Sequence, residues 1–255
     1  GKWQLNGLYN KLPGHDDPTR PQKAGFDESL LWQVTTGKSI KIGGGERFWS
    51  PPLEHNGKFI GIEENNGRYG PDLMCDFLCN FMERNREEPF FAYYPMVLVH
   101  DPFVPTPDTI GDNPRTHEAN KAKKNDAADQ KANFVAMVQY ADKLVGRLEQ
   151  KIRDLGLAEN TIILFTADNG TNTRITSRWD GRDITGGKGG MTDMGTHVPL
   201  IVSWPGKVRP GSSNDQLVSQ IDLLATFSEV TSQEIEAGDG AEDSISLLPT
   251  LLDPS

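Results

Sequence analysis

Phe134, Met137, Val138, Ala141, Val145, Leu148, Ile152 and Leu155 recur at steps of three, four and seven, which sets them on one face of a long helix. Gly156 is a natural stop for it, because glycine takes the left-handed conformation that closes helices. Thr161-Ile162-Ile163-Leu164-Phe165-Thr166 then forms a short apolar run rich in β-branched residues. It reads as a buried parallel strand ending at Ala167-Asp168-Asn169-Gly170. A strong helix feeding a buried strand is the building unit of an α/β fold, and it limits what the remainder can be. Residues 198–204 supply another strand, closed by Pro205-Gly206, and residues 221–227 start a further helix.

Upstream, Pro71-Asp72 opens a helix carrying Met74, Phe77, Leu78, Phe81 and Met82 at helical spacing. Cys75 and Cys79 stand four apart on it, where a disulfide would be badly strained, and no matching Cys/His pair completes a metal site, so they read as buried thiols. Residues 90–99 are nearly all apolar between Pro89 and His100-Asp101-Pro102. They read as a buried strand, broken or bulged at Pro95. Residues 105–131 are polar, a solvated loop or short helix, and residues 171–197 form a loop rich in Gly, Thr and Arg. Residues 6–70 are loop-rich, with turn chemistry at Pro13-Gly14, Gly43-Gly44-Gly45, Pro51-Pro52 and Asn66-Gly67. Tyr9, Phe26, Trp32, Phe48, Trp49, Phe59 and Tyr69 are scattered through this stretch. It reads either as a substrate-facing excursion over a core or as an irregular surface with aromatic anchors.

The 255 residues suffice for one large domain or two small ones, and no linker or internal repeat divides them. Lys and Arg number 26 against 36 Asp and Glu, a net charge of −10, which argues against a general nucleic-acid binder. No apolar run approaches the roughly 20 residues of a membrane-spanning helix. The opening Gly1-Lys2-Trp3-Gln4-Leu5 carries neither an initiating Met nor a signal peptide, which suggests a chain cut from something longer.

Ligands of open α/β sheets collect at the carboxyl ends of strands. Two such ends carry suitable groups here: His100 after one, Asp168-Asn169-Gly170 after the other. Asp and Asn oxygens suit a hard cation such as Ca²⁺ or Mg²⁺, although Asp-Asn-Gly is also a plain turn. Gly186-Gly187-Lys188-Gly189-Gly190 holds one Lys among glycines that would let the backbone approach a bound group, or forms a flexible loop with a solvated Lys. Arg174, Arg178 and Arg182 suit an anionic substrate or a solvated basic face. His100 reads alone as a general acid, a donor to an anion or a structural histidine.

The order and flanks of these segments resemble the sulfatase family. Gly1-Lys2-Trp3-Gln4-Leu5 is similar to that family's Gly-Lys-Trp-His-Leu segment, and residues 89–102 look like its strand ending in a His before proline. Residues 155–170, Gly187-Lys188-Gly189, residues 198–207, Ile221-Asp222-Leu223-Leu224 and Ser246-Leu247-Leu248-Pro249 continue in the same order. The resemblance implies an α/β fold with an alkaline-phosphatase-like sheet flanked by helices, incomplete at its N-terminal side. It implies hydrolysis of a small-molecule or glycan sulfate ester. Asp168 and Asn169 would coordinate Ca²⁺ (or Mg²⁺), Lys2, Gln4 and Lys188 would contact the sulfate, and His100 would bind a sulfate oxygen or assist the leaving group. A periplasmic or secreted location is expected from the resemblance alone.

This sequence departs from the family pattern in two places that matter. The family's formylglycine nucleophile arises from a Cys/Ser-x-Pro-x-Arg motif that is absent here, as are the paired aspartates of its metal site. Both normally precede the Gly-Lys-Trp segment, so the chain alone is expected to be inactive. It is also expected to be aggregation-prone along an unpaired apolar sheet edge. Gln4 replaces a histidine and cannot exchange a proton near neutral pH. His197 stands where Arg is common and receives no role. A phosphate or phosphonate ester hydrolase of the same superfamily, or a non-catalytic binder of an anionic glycan, are the alternatives.

Overall fold

The structure is a computed structural model, and it describes residues 1–3, 5, 7, 11–32, 34–35, 47–121 and 126–253. Gln4, Tyr9 and the Gly43-Gly44-Gly45 run lie outside the described residues. Two compact units emerge, one of Gly1–Leu155 with Asn169–His197 and one of Gly156–Asp168 with Val198–Ser255. No described helix is long and apolar enough to cross a membrane.

The first unit is built on two helices. After the short α1 (Arg20–Lys23), helix α2 spans Gly70–Arg84 and helix α3 spans Ala127–Asp154. The side chain of Asp126 caps α3 by accepting from the Ala128 and Asp129 amides at 2.9 and 3.1 Å. Gly156, at φ +72°, follows its end. Leu73, Met74 and Cys75 of α2 meet Met137, Tyr140 and Leu144 of α3 in one core with Trp32, Phe48, Trp49 and Tyr69. Tyr140 donates its hydroxyl to the Asp72 carboxylate at 2.8 Å, and burial pushes its pKa above the usual tyrosine value. Cys75 is buried and Cys79 half-buried, both as free thiols, and burial drives the Cys75 pKa up to about 12.

Residues 6–70 contain more regular structure than their sequence suggests. Strands β1 (Leu30–Leu31), β2 (Leu53–His55) and β3 (Lys58–Ile60) form an antiparallel sheet, with Leu31 opposite Glu54 and His55 opposite Lys58. Asn56 and Gly57, both at positive φ, make its tight turn. The aromatics Trp32, Phe48, Trp49 and Tyr69 are core, not surface anchors. The polar stretch 105–131 likewise buries Thr106, Ile110 and Asn120, the last in a 3₁₀ turn at His117–Asn120. Asn120 accepts from the Trp49 amide at 2.8 Å and donates to the Trp49 carbonyl at 2.7 Å, the two bonds a neighbouring strand would make.

Residues 90–99 correct the strand reading. Their backbone joins no ladder among the described residues and turns at Leu98-Val99; Pro89 and Pro95 lack donors, and the Pro95 carbonyl accepts from the Lys2 amide at 2.7 Å. Phe91 and Tyr93 stay 61% and 54% exposed although each stacks on Phe26. Residues 171–197 are corrected too: strands β4 (Ile163–Thr166), β5 (Thr176–Trp179) and β6 (Arg182–Thr185) follow in chain order, and β5 and β6 form a hairpin turning at Asp180-Gly181. Both turn residues take positive φ, 49° and 73°. A short helix α4 (Asp193–Thr196) ends the unit.

In the second unit β4 pairs with β7 (Leu200–Ser203) antiparallel, Ile163 opposite Ser203 and Thr166 opposite Leu200. The expected parallel, buried arrangement is therefore replaced: β4 is half-buried along its length. An apolar run identifies a strand but not the direction of its partner. Helix α5 (Asp222–Thr231) precedes α6 (Leu248–Leu252). Asp222 accepts from the Ser219 and Ile245 amides at 2.7 and 3.0 Å, while Thr226 Oγ1 accepts from the Leu247 amide at 2.9 Å. The two side chains thus fasten residues 245–247 to α5. The architecture as a whole is mixed α/β, as expected.

Asn120→Ala should destabilise the protein by about 3 kcal/mol, because two buried backbone groups of Trp49 lose their partners together. Denaturant unfolding would check this, and a loss under about 1 kcal/mol would mean water replaces the amide.

Candidate active site

Residues 1–3 are held on both sides. The Trp32 amide donates to the Gly1 carbonyl at 2.7 Å, and Lys2 and Trp32 form a parallel bridge. The contact is close enough that a Cβ on Gly1 would stand 2.4 Å from the Pro95 carbonyl oxygen. Lys2 is thereby set beside the segment that leads through Val97 to His100, whose amide donates to the Val97 carbonyl at 3.2 Å.

His100 is half-buried, and its Nδ1 lies 2.7 Å from the Asp101 carbonyl oxygen and 3.0 Å from Asp101 Oδ1. Neither oxygen can donate, so Nδ1 carries the proton and Nε2 keeps its lone pair. Burial pushes the His100 pKa down to about 4; the bond to Asp101 opposes this, and the charges of Arg47, Lys188 and Lys2 add to it. Asp101 also accepts from Arg174 Nη2 at 3.0 Å. Burial alone would raise its pKa, but His100, Arg174, Arg47 and Lys188 outweigh burial and hold it below the usual carboxylate range. Lys2, Lys188 and Arg47 therefore all bear electrostatically on the His100 imidazole.

Lys188 reaches this place because of the glycines beside it. The Gly186 amide donates to the Ile175 carbonyl at 2.9 Å and the Lys188 amide to the Thr171 carbonyl at 3.0 Å. A Cβ on Gly186 would stand 2.3 Å from the Thr171 carbonyl oxygen, and one on Gly187 would stand 2.6 Å from Met194 Cβ. Here Gly186 and Gly187 serve packing of backbone on backbone, and Lys188 is half-buried. Gly170 behaves alike, donating to the Gly195 carbonyl at 2.9 Å where a Cβ would clash with Met194.

Asn169 is half-buried next to Gly170, and Asp168, exposed, precedes it in sequence after β4. Their oxygens are the donor type that Ca²⁺ and Mg²⁺ take, but Ca²⁺ takes about six to eight. Among the described residues no group of three or more His, Cys, Asp or Glu is placed to hold a metal. The pair suits such an ion in kind and falls short of it in number. Gln4 lies outside the described residues.

Sequence reasoning missed two contributors and grouped a third, Arg174, with two arginines that lie elsewhere. Arg47, 4% exposed, stacks its guanidinium 4.1 Å from the Trp32 ring centroid, and no spacing in the sequence marks it. Asp101 stood beside His100 but was read only as a flank. Of the three arginines read together, Arg174 alone joins His100 through Asp101, while Arg178 and Arg182 sit on the hairpin.

His100 is thus a half-buried histidine that feels the positive charges of Arg47, Lys188 and Lys2, in a chain of mixed α/β structure. Residues 7–233 match the sulfatase family, and the chain belongs to it. It is similar to an N-acetylgalactosamine-6-O-sulfatase of Bacteroides thetaiotaomicron, at 30% identity over 71% of this chain and 34% of that protein. It is also similar to human N-acetylgalactosamine-6-sulfatase, at 28% identity over 99% of this chain and 45% of that one. The chain thus spans less than half the length of these curated relatives. The crystal structure of Ps i-CgsB in complex with k-i-k-neocarrahexaose shares the fold, with TM-score 0.67 and 23% identity over 90% of this chain and 51% of that one.

The His100 shift sets a pH dependence. Unfolded, the imidazole titrates near 6.5, while folded it titrates at about 4, so the unfolded chain binds the proton first. Stability held above pH ~6.5 is lost as pH falls toward ~4, by up to roughly 3 kcal/mol. Urea unfolding near pH 7.5 and near pH 5 should show a smaller acid loss for His100→Gln than for the wild type. Equal losses would refute the shift.

Proposed function

We propose that the intact protein hydrolyses sulfate esters of glycans, with these 255 residues supplying the sulfate-binding cations, the acid–base histidine and part of a calcium site. The single observation that carries this reading is the neutral His100 among Lys2, Lys188 and Arg47. The names of the two relatives, both acting on a sulfated amino sugar, and the carrageenan hexasaccharide bound by Ps i-CgsB support a glycan ester over a simple aryl ester. No Cys/Ser-x-Pro-x-Arg motif occurs in the sequence, so the formylglycine nucleophile and the remaining metal carboxylates are assigned to the rest of the protein.

Each ammonium about 4 Å from a sulfate oxygen contributes roughly 4 kcal/mol of attraction at an effective dielectric near 20, before desolvation. In the free site burial holds His100 neutral, and those charges add to it. A bound sulfate ester offsets them, so the His100 pKa rises when substrate enters. Nε2 can then carry a proton toward the leaving oxygen while Nδ1–H stays fixed on Asp101. Asp168 and Asn169 would hold the calcium ion, which supplies further positive charge toward the ester oxygens. Residues 6–70 and 171–186 would shape the pocket.

In the intact protein Asp168→Ala should abolish metal-dependent hydrolysis of 4-nitrocatechol sulfate, and normal turnover would sink the reading. His100→Gln should lower kcat by roughly 10²–10⁴-fold. A side-by-side assay discriminates the alternatives. Faster cleavage of the matching phosphate ester would make this a phosphoryl hydrolase. Sulfate binding with no cleavage of either ester would make it a non-catalytic binder.

A further inference from the structure

The β5–β6 hairpin does not pack into the core, yet its base is fixed firmly. Ile175, immediately before β5, is buried, and the Gly186 amide, immediately after β6, donates to its carbonyl at 2.9 Å. Thr176 and Thr185 join their hydroxyls at 2.8 Å across the first rung, and Lys131 of α3 donates to the Thr176 carbonyl. Arg174 stands just ahead of this base and Lys188 just beyond it, so the hairpin rises directly from the His100 site.

Residues directly opposite on paired strands share a face. Trp179 is opposite Arg182 and Ser177 opposite Ile184, which puts an indole, a guanidinium, a hydroxyl and an aliphatic side chain on one face. Trp179 at the tip is 74% exposed, an unusual cost for a tryptophan unless something covers it. Arg182 has a carboxylate no nearer than Asp180 Oδ2 at 3.6 Å, in an exposed pair that leaves its charge largely available. The rise from the base rung to Trp179 is about 10 Å, at about 3.3 Å per residue. The hairpin balances Arg178 and Arg182 against Asp180 and Asp183, so it is locally neutral in a chain of net charge −10.

We propose that this face is a second binding site for the sulfated polymer, which holds a sugar residue away from the scissile ester. The C–H face of a pyranose ring packs on the Trp179 indole, and Arg182 pairs with that sugar's sulfate. The inference rests on the glycan reading of the His100 site and extends it: a polymer anchored at Trp179 presents a neighbouring ester to Lys188. A monosaccharide cannot use both places at once.

Affinity electrophoresis of the intact protein through gels containing κ-carrageenan or chondroitin sulfate, and through chemically desulfated counterparts, tests this. Trp179→Ala should weaken retention by at least one sulfated polymer about tenfold. Arg182→Glu should weaken retention by that polymer while barely altering the weak retention by its desulfated form. Unchanged melting temperatures would show that both variants are folded, as expected for exposed positions. Wild-type retention by Trp179→Ala overturns the proposal, and so does a wild-type protein that none of the sulfated polymers retards. Hydrolysis of 4-nitrocatechol sulfate by the wild type separates the two failures: with it, only the hairpin site falls; without it, the sulfatase reading falls too.

Discussion

The close approach of bare backbone at Gly170, Gly186, Gly187 and Gly195 decides where the chemistry of this chain can stand. Residues 170–172 and 186–195 lie against each other through amide–carbonyl bonds, Gly170 to Gly195, Gly187 to Met194 and Lys188 to Thr171. No side chain fits between them; a Cβ on Gly195 would stand 2.2 Å from the Gly190 carbonyl oxygen. Lys188 is therefore held by its neighbours' lack of side chains and needs no partner for its own ammonium to be placed. The same pinning fixes the base of the β5–β6 hairpin, since Gly186 closes it against Ile175. One packing constraint sets both the charge at the pocket and the arm beside it.

The electrostatics of the pocket follow from that placement. Burial of the imidazole, with the charges of Arg47, Lys188 and Lys2 adding to it, keeps His100 neutral and brings its pKa down to about 4. The arrangement is under tension only while no anion is present. Asp101 relieves part of it, because one carboxylate meets both His100 and Arg174 at 3.0 Å. This carboxylate also selects the tautomer: with Nδ1 committed to Asp101, Nε2 is the only nitrogen left for a ligand. On the proposed reading, an anion that enters such a site would also raise the histidine pKa, so binding and proton uptake would be linked.

How legible this was in the sequence differs by element, for physical reasons. Helix α3 was plain because its apolar residues repeat with the helical period over many turns, and its end was marked by Gly156. Strand β4 was legible as a strand but its pairing was not: the antiparallel partner β7 lies more than thirty positions on, and local pattern carries no information about such a partner. The hairpin was legible and went unread, since Asp180-Gly181 between Trp179 and Arg182 is the strongest short-range hairpin signal, masked here by polar strands. Asn120 could not have been found; an asparagine that stands in for a strand is defined only by the tertiary contact with Trp49. Of the candidate residues, His100 was marked by a strand end, Lys188 by its flanking glycines and Lys2 by the resemblance to the family's motifs. Arg47 was not, because its role depends on a cation lying over Trp32 across a stretch without periodicity.

The chain's overall charge and its local charge point in opposite directions, and distance decides which a ligand feels. At physiological salt the Debye length is about 8 Å, so acidic residues elsewhere are screened from a polymer docked at the pocket. The half-buried cations near His100 are screened far less and keep their attraction in salt. Arg182, exposed and about 10 Å beyond the base rung, lies outside their screened reach and must act on its own sulfate. On the proposed reading, a polymer with sulfates on successive sugars would meet two contacts of different character. One would involve half-buried cations, less screened by salt, and the other the exposed Trp179 and Arg182, more weakened by it. Such a division lets the outer contact release and re-engage as the polymer moves while the inner pocket reads one ester at a time.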